Sequence, residues 1–240
     1  PSHHRQEYTY PSNIEVVIVE DVDTMNEIMD RAIALAKDWT HPQDPCVIGL
    51  DTEWAHGREV VLLQLSVGKM CILLRMHMIK ESCASLGTPT SRPFSKIQDL
   101  FNMPDVIFVG SGIYECDLKK LFDQFDIDID KMCWIDTQDA AKCMVVDGIF
   151  NQCKRPGLAG LTKKLFDVPL NKGEQCSEWD ADQLSASQVK YAACDAVVSR
   201  EIVEQMYMRA VLRDVTDVGF GEWLWGLQGD AKLVHDKRHH

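Results

Sequence analysis

Asp51-Thr52-Glu53 closes the apolar run Val47-Ile48-Gly49-Leu50. In a strand, residues i and i+2 point to the same face, so the two carboxylates converge on one spot. With 37 acidic residues in 240, chance alone gives about five or six acid-x-acid triplets, so the spelling is weak by itself. The context sharpens it: acids at the end of a buried strand must be paired or must bind a cation. Tyr191 and Asp195 stand four apart in a helical stretch with small residues between them, which stacks them on one helical face. Taken alone, Tyr191 reads as a core residue with a satisfied hydroxyl, and Asp195 as solvated. Asp117 follows the glycine-flanked turn Gly110-Ser111-Gly112. There either Glu115 or Asp117 could simply complement a helix dipole. Each of these signals is modest; their conjunction is not.

The elements that must position these groups are legible from periodicity. Ile14–Glu20 is a β-branched run that reads as a strand, and Asp23–Trp39 has helical spacing. Three strands follow, Val47–Glu53, Glu59–Val67 and Met70–Arg75, with turns at Gly57 and Gly68-Lys69. Ser82–Pro93 is rich in Gly, Pro, Ser and Thr and reads as a mobile loop. The pattern then alternates: helix Phe94–Asn102, buried strand Val106–Val109, and helices Tyr114–Phe125, Thr137–Val146, Leu158–Phe166 and Ala186–Met208. Hairpin-like strands followed by alternating helix and strand imply an α/β fold, a mixed sheet flanked by helices. Residues 1–13 read as a disordered tail, 14–210 as the main folded domain, and 211–240 as a C-terminal extension. In the extension, Trp223 and Trp225 fit no clear period; they either pack two indoles on the domain or face a partner.

The ordered series DTEW, VVLLQLSV, VGSGIYECDLKKL, GLAGLTKKLFDVPLNKGEQCSEWD and LSASQVKYAACDA resembles the DEDDy 3′-5′ exonuclease family. That family has the DnaQ-like, RNase H-like fold, and the branch resembled is that of the Werner-type, Nibbler-type and RNase D domains. The likeness runs from about Val47 to Met206 and fills all five signature positions: Asp51, Glu53, Asp117, Tyr191 and Asp195. It implies catalysis by these five residues and two divalent cations per site, Mg²⁺ or Mn²⁺. Asp51 would bridge both, Glu53 and Asp195 would complete one, and Asp117 would hold the second. Two such cations ~3.5–4 Å apart can stabilise the attacking water and the leaving 3′ oxygen of an in-line displacement. An unperturbed phenol has a pKa of ~10, so Tyr191 would orient the water or take its proton in a cation-biased setting.

The same resemblance implies substrate contacts. Leu62, Leu63 and Gln64 correspond to the position that meets the terminal nucleotide. Trp54, as an ordinary strand residue, would face away from the carboxylates and pack in the core; as a site residue it would line the nucleotide pocket. Lys172 could meet a phosphate, and Trp179 could cover the site or brace the last helix. Arg58, Lys119, Lys120, Lys154, Arg155, Lys163 and Lys164 are candidate phosphate contacts, each also readable as a solvated surface charge. The expected substrate is the 3′ end of single-stranded or recessed RNA or DNA, with RNA slightly favoured by the Gln-Cys-Ser-Glu-Trp run.

Composition bounds these readings. The net charge of −12 argues against a broad nucleic-acid coat, which needs a basic face, but not against an acidic pocket neutralised by metal ions. The nine cysteines are odd in number, scattered and without a C-x-x-C pair. That pattern fits a reducing intracellular setting (nucleus, cytoplasm or an organelle). The apolar runs are too short to span a bilayer. No charged-then-apolar segment opens the chain, and a chain opening on Pro1 reads as part of a longer one. No G-x-G-x-x-G follows a strand, which disfavours a dinucleotide-binding enzyme. The remaining alternative is a catalytically silent nucleic-acid-binding or scaffold domain of the same fold, which would be expected to lack at least one of the carboxylates.

Overall fold

A computed structural model describes residues 6–39, 44–55, 59–85, 93–146 and 156–236. Its centre is a six-stranded mixed sheet of β1 (Glu15–Val19), β2 (Cys46–Trp54), β3 (Val60–Val67), β4 (Met70–Arg75), β5 (Val106–Gly110) and β6 (Trp134–Asp136). The spatial order is β1-β4-β3-β2-β5-β6. β3 is antiparallel to both of its neighbours, and every other pairing is parallel. β2 thus lies inside the sheet with both faces covered, which is why its first five residues are an unbroken small-or-apolar run.

Alternation along β2 divides the core. Cys46, Ile48 and Leu50 join a cluster with α1 (Val22–Lys37) and α3 (Ser95–Phe101). Val47, with Ile107 and Val109 of β5, faces the opposite layer. That layer contains α5 (Thr137–Val146), α6 (Leu158–Phe166), α7 (Ala186–Leu212) and α8 (Phe220–Asp236). Two further helices complete the first layer: α2 (Met76–Ser85), buried through Met76 and Ile79, and α4 (Lys119–Phe125), buried through Leu121 and Phe125. Helices on both faces of a mixed sheet confirm the expected α/β class.

Several expectations are corrected. Residues 82–85 of the expected loop belong to α2, because Met76 and Ile79 give the chain leaving β4 an apolar face to bury; 86–92 lie outside the described residues. β6 is three residues long, too short for a period to show. The stretch around Trp223 and Trp225 is helical, with Leu224 and Leu227 buried and both indoles packed against the second core.

Within the described part of the expected tail, the chain folds back onto the domain at Tyr8. Tyr8 is buried, packs edge-on against Phe166 with ring centroids 5.6 Å apart, and donates from its hydroxyl to Glu201 Oε2 at 2.8 Å. Its backbone N–H donates to the Pro169 carbonyl at 2.9 Å. One aromatic ring with a satisfied polar tip is enough to tie down a segment whose composition is otherwise polar. Among the described residues, all eight cysteines are free, and no helix is long and apolar enough to cross a membrane.

Candidate active site

The four carboxylates come from three directions onto the C-terminal end of β2. Asp51 and Glu53 point to the α7 side. Two residues earlier on the same face is Gly49, where an added Cβ would overlap the Ala196 carbonyl oxygen of α7. Only glycine lets the helix backbone sit on the strand this closely. The contact brings Asp195, the residue before Ala196, beside Asp51 and Glu53. One oxygen from each of these three carboxylates lies within 4.8 Å of the others.

α7 begins with a reciprocal cap between Ser185 and Gln188. Gln188 also donates to Ser177 Oγ and to the Glu178 carbonyl, each at 3.0 Å, so the start of α7 is tied to the preceding segment. Tyr191 lies one turn before Asp195, as i,i+4 spacing requires.

Asp117 arrives from the other layer. β5 ends at Gly110, and Gly112 turns the chain with φ at +75°, a left-handed conformation that glycine adopts without strain. A π-helical turn, Tyr114–Leu118, then runs into α4. Such turns rotate one side chain out of the regular helical register. The buried Asp117 accepts a hydrogen bond at Oδ1 from Thr52 Oγ1.

These groups line a cleft of about 350 Å³ that also exposes Trp54, Ser111, Gln138, Asn171, Lys172 and Gln175. Its electrostatics are those of an uncompensated acidic site. Burial pushes Asp51 up to about 7, against the pull of the Thr52 backbone N–H. Burial, then the charges of Asp51, Asp195 and Asp117, push Glu53 up to about 10. Asp117 and Asp195 are raised well above the usual carboxylate range, first by burial and then by Asp51. The Tyr191 hydroxyl and Lys172 pull Asp195 back in part. Tyr191 itself is pushed far up by burial and then by Asp195, Glu53 and Asp51. The side chain of Asp195 keeps Oδ1 buried and without a hydrogen-bond partner. Clustered, desolvated oxygen donors with an orphaned acceptor fit a hard divalent cation.

The cleft gathers Asp51, Glu53, Asp117, Tyr191, Asp195, Trp54 and Lys172. The other expected substrate contacts do not line it. Leu62 and Leu63 are buried in β3, between sheet and helices, because both faces of that strand are covered. Gln64 is also buried; it pulls Glu53 slightly down, yet neither polar atom of its amide makes a hydrogen bond of regular geometry. Trp179 is 1% exposed and packs on Tyr191 with ring centroids 5.9 Å apart. It braces the helix and does not cover the site. The fully buried Arg75 holds its segment by donating to the carbonyls of Ala181 and Asp182.

Trp54 departs from the core reading. It does face away from Asp51 and Glu53, but the register with β3 shifts between Glu53 and Trp54. The indole stands 37% exposed at the cleft, with Lys120 Nζ 3.0 Å from its ring centroid. Among the other basic candidates, Lys163 pairs with Asp167, while Arg58, Lys154 and Arg155 lie outside the described residues. Thr52, Ser111, Gln138 and Asn171 went unread in the sequence. Single polar residues carry no periodic signal; only the position of Thr52 between two acids could have marked it.

A mixed sheet of this topology, flanked by helices on both faces, has the RNase H-like fold. The chain belongs to the 3′-5′ exonuclease family, whose model matches residues 16–209. It is 29% identical over 164 residues to human exonuclease 3′-5′ domain-containing protein 2, covering 65% of this chain and 24% of that protein. It is 24% identical over 220 residues to a putative 3′-5′ exonuclease of Acanthamoeba polyphaga mimivirus, covering 88% of this chain and 50% of that one. The chain thus spans half or less of the length of these curated relatives. Among solved structures, the Nibbler EXO domain of Aedes aegypti superposes with a TM-score of 0.71 at 17% identity, covering 92% of this chain and 99% of that one. Escherichia coli RNase D, an exoribonuclease involved in structured RNA processing, superposes at 0.64 with 21% identity, covering 93% and 50%.

Proposed function

We propose that this domain is an active DEDDy-type 3′-5′ exonuclease that hydrolyses the terminal phosphodiester of a single-stranded or recessed strand and releases nucleoside monophosphates. One observation carries the reading: oxygens of the partly buried Asp51 and the buried Glu53 and Asp195 converge within 4.8 Å, an arrangement of ionised carboxylates that bound cations would make electrostatically favourable. Asp51, Glu53 and Asp195 would hold one Mg²⁺ or Mn²⁺, and Asp51 with Asp117 a second. Bound there, the cations supply Lewis-acid stabilisation of the charge that develops on the phosphate and on the attacking and leaving oxygens.

The chain's own residues position the reactants. Tyr191, whose hydroxyl proton is directed to Asp195, orients the attacking water through its oxygen or takes its proton once bound cations offset the surrounding carboxylate charge. Lys172, beside Asp195 in the cleft, meets a phosphate oxygen. Trp54, with Lys120 over its ring, forms a rim on which a base can stack. Ser111 and Gln138, joined by a 3.3 Å hydrogen bond, offer neutral donors and acceptors to sugar or base. RNA is the proposed preferred strand, a reading supported by the Gln175–Trp179 run and by the described role of RNase D.

The test uses 5′-labelled RNA and DNA oligonucleotides with single-stranded or recessed 3′ ends, with Mg²⁺ or Mn²⁺. The expected result is a single-nucleotide ladder, stronger on RNA and absent for Asp51→Asn. Retention of the strand with no ladder would replace this reading by that of a silent binding domain.

A further inference from the structure

The end of β2 carries two sets of side chains. Asp51 and Glu53 face α7, while Thr52 and Trp54, the alternate pair, face the layer from which Asp117 comes. Trp54 Nε1 donates to Thr52 Oγ1 at 2.8 Å, and Thr52 Oγ1 donates to Asp117 Oδ1. An indole N–H can only donate, so the hydroxyl accepts from it, and toward an ionised Asp117, the form that holds a cation, the hydroxyl gives its single proton. Thr52 and Asp117 are buried while Trp54 stands at the open rim, so the relay runs from the cleft mouth to the carboxylate.

We infer that Trp54 and Thr52 are positioning residues for Asp117: the indole sets the hydroxyl, and the hydroxyl fixes one Asp117 oxygen as an acceptor, keeping the other for a cation. The inference rests on the two-cation reading above. It gives Trp54 a task beyond contacting the strand and explains why a threonine stands between the two acids. Hydrogen bonds from outside a ligand set orient the ligands, and their loss commonly costs 10–100-fold in metal affinity or activity. Asp51, Glu53 and Asp195 do not depend on this relay, because their placement comes from Gly49 and α7. The relay therefore governs one of the two cations and leaves the other unchanged.

The test compares wild type with Trp54→Phe, Thr52→Val and Thr52→Ser. Mn²⁺ binding is measured calorimetrically without nucleic acid, thermal melting checks the fold, and kcat and KM are measured on a 5′-labelled oligonucleotide. Trp54→Phe keeps the ring and removes the donor; Thr52→Val keeps the shape and removes the hydroxyl. Both are expected to retain the tighter Mn²⁺ event, weaken the second about tenfold or more, and lower kcat with KM little changed. Thr52→Ser should restore both. Wild-type Mn²⁺ binding in Thr52→Val, or a rise in KM alone in Trp54→Phe, would overturn the inference. If wild type binds Mn²⁺ in two events that the variants perturb as described, yet cleaves no strand, the relay stands and the exonuclease reading fails.

Discussion

Gly49 of β2 lies against the Ala196 carbonyl of α7 with no room for a β-carbon between strand and helix. That single approach sets the distance between the Asp51–Glu53 pair and Asp195, so the geometry of the candidate site depends on a residue with no side chain. Gly49→Ala must push α7 away from β2. Overpacking of this kind costs about 1–3 kcal/mol. The expected outcome is a lower denaturation midpoint together with loss of strand cleavage, because Tyr191 and Asp195 move with the helix. A full-activity Gly49→Ala protein would show that the approach is not what aligns the site.

The carboxylates and the phenol should separate in a mutational series. Asp51→Asn removes a charge shared by the whole cluster and is expected to lower turnover by more than about 10³-fold. Tyr191→Phe, which removes an orienting hydroxyl, should cost about 10- to 100-fold. Without divalent cations, Asp51→Asn should be more stable than wild type by about 0.5–2 kcal/mol, since repulsion among buried acids is relieved. Single-turnover cleavage and thermal melting in chelator check the two halves.

Stability should depend on pH in a direction set by the same cluster. Cation-free, the folded protein holds Asp51 at about 7 and Glu53 at about 10, against ~3.9 and ~4.3 in an unfolded chain. Below about pH 4 both states are protonated and there is no penalty. Above it the unfolded chain releases protons that the folded state retains, so the penalty grows through pH 7 for Asp51 and toward pH 10 for Glu53. Bound cations favour the ionised form and reverse the effect. The rise in melting temperature on adding Mn²⁺ should therefore be larger at pH 8 than at pH 5.5; an equal rise at both would contradict the assignment of these acids as ligands.

Trp179 and Tyr8 test what holds the site from behind. Trp179→Ala opens a cavity beneath Tyr191 and should cost about 3–5 kcal/mol, whereas Trp179→Phe should keep KM unchanged because the indole touches no substrate. Tyr8→Phe removes the hydrogen bond to Glu201 at a cost of about 1–2 kcal/mol. Deletion of residues 1–13 should cost more, since it also uncovers the surface that Tyr8 buries. Urea midpoints for the four proteins give the ranking.

Periodicity alone determined much of this protein. Period two put Asp51 and Glu53 on one face, and i,i+4 spacing put Tyr191 above Asp195. An apolar run entering a glycine turn marked the stretch that holds Glu115 and Asp117, and the family resemblance singled out Asp117 within it. These are local relations, set by backbone geometry within a few residues, and they survive in a bare sequence. Tertiary structure alone decided the rest. Leu62 and Leu63 are buried because strands on both sides and helices on both faces enclose β3. Trp54 reaches the rim because of a register shift against a strand that the linear pattern cannot place. Tyr8, 193 residues from Glu201, folds onto the domain through a partner no window could connect. Pairing register and layer stacking depend on contacts distant in sequence, and it is these that separate the residues lining the cleft from those that support it.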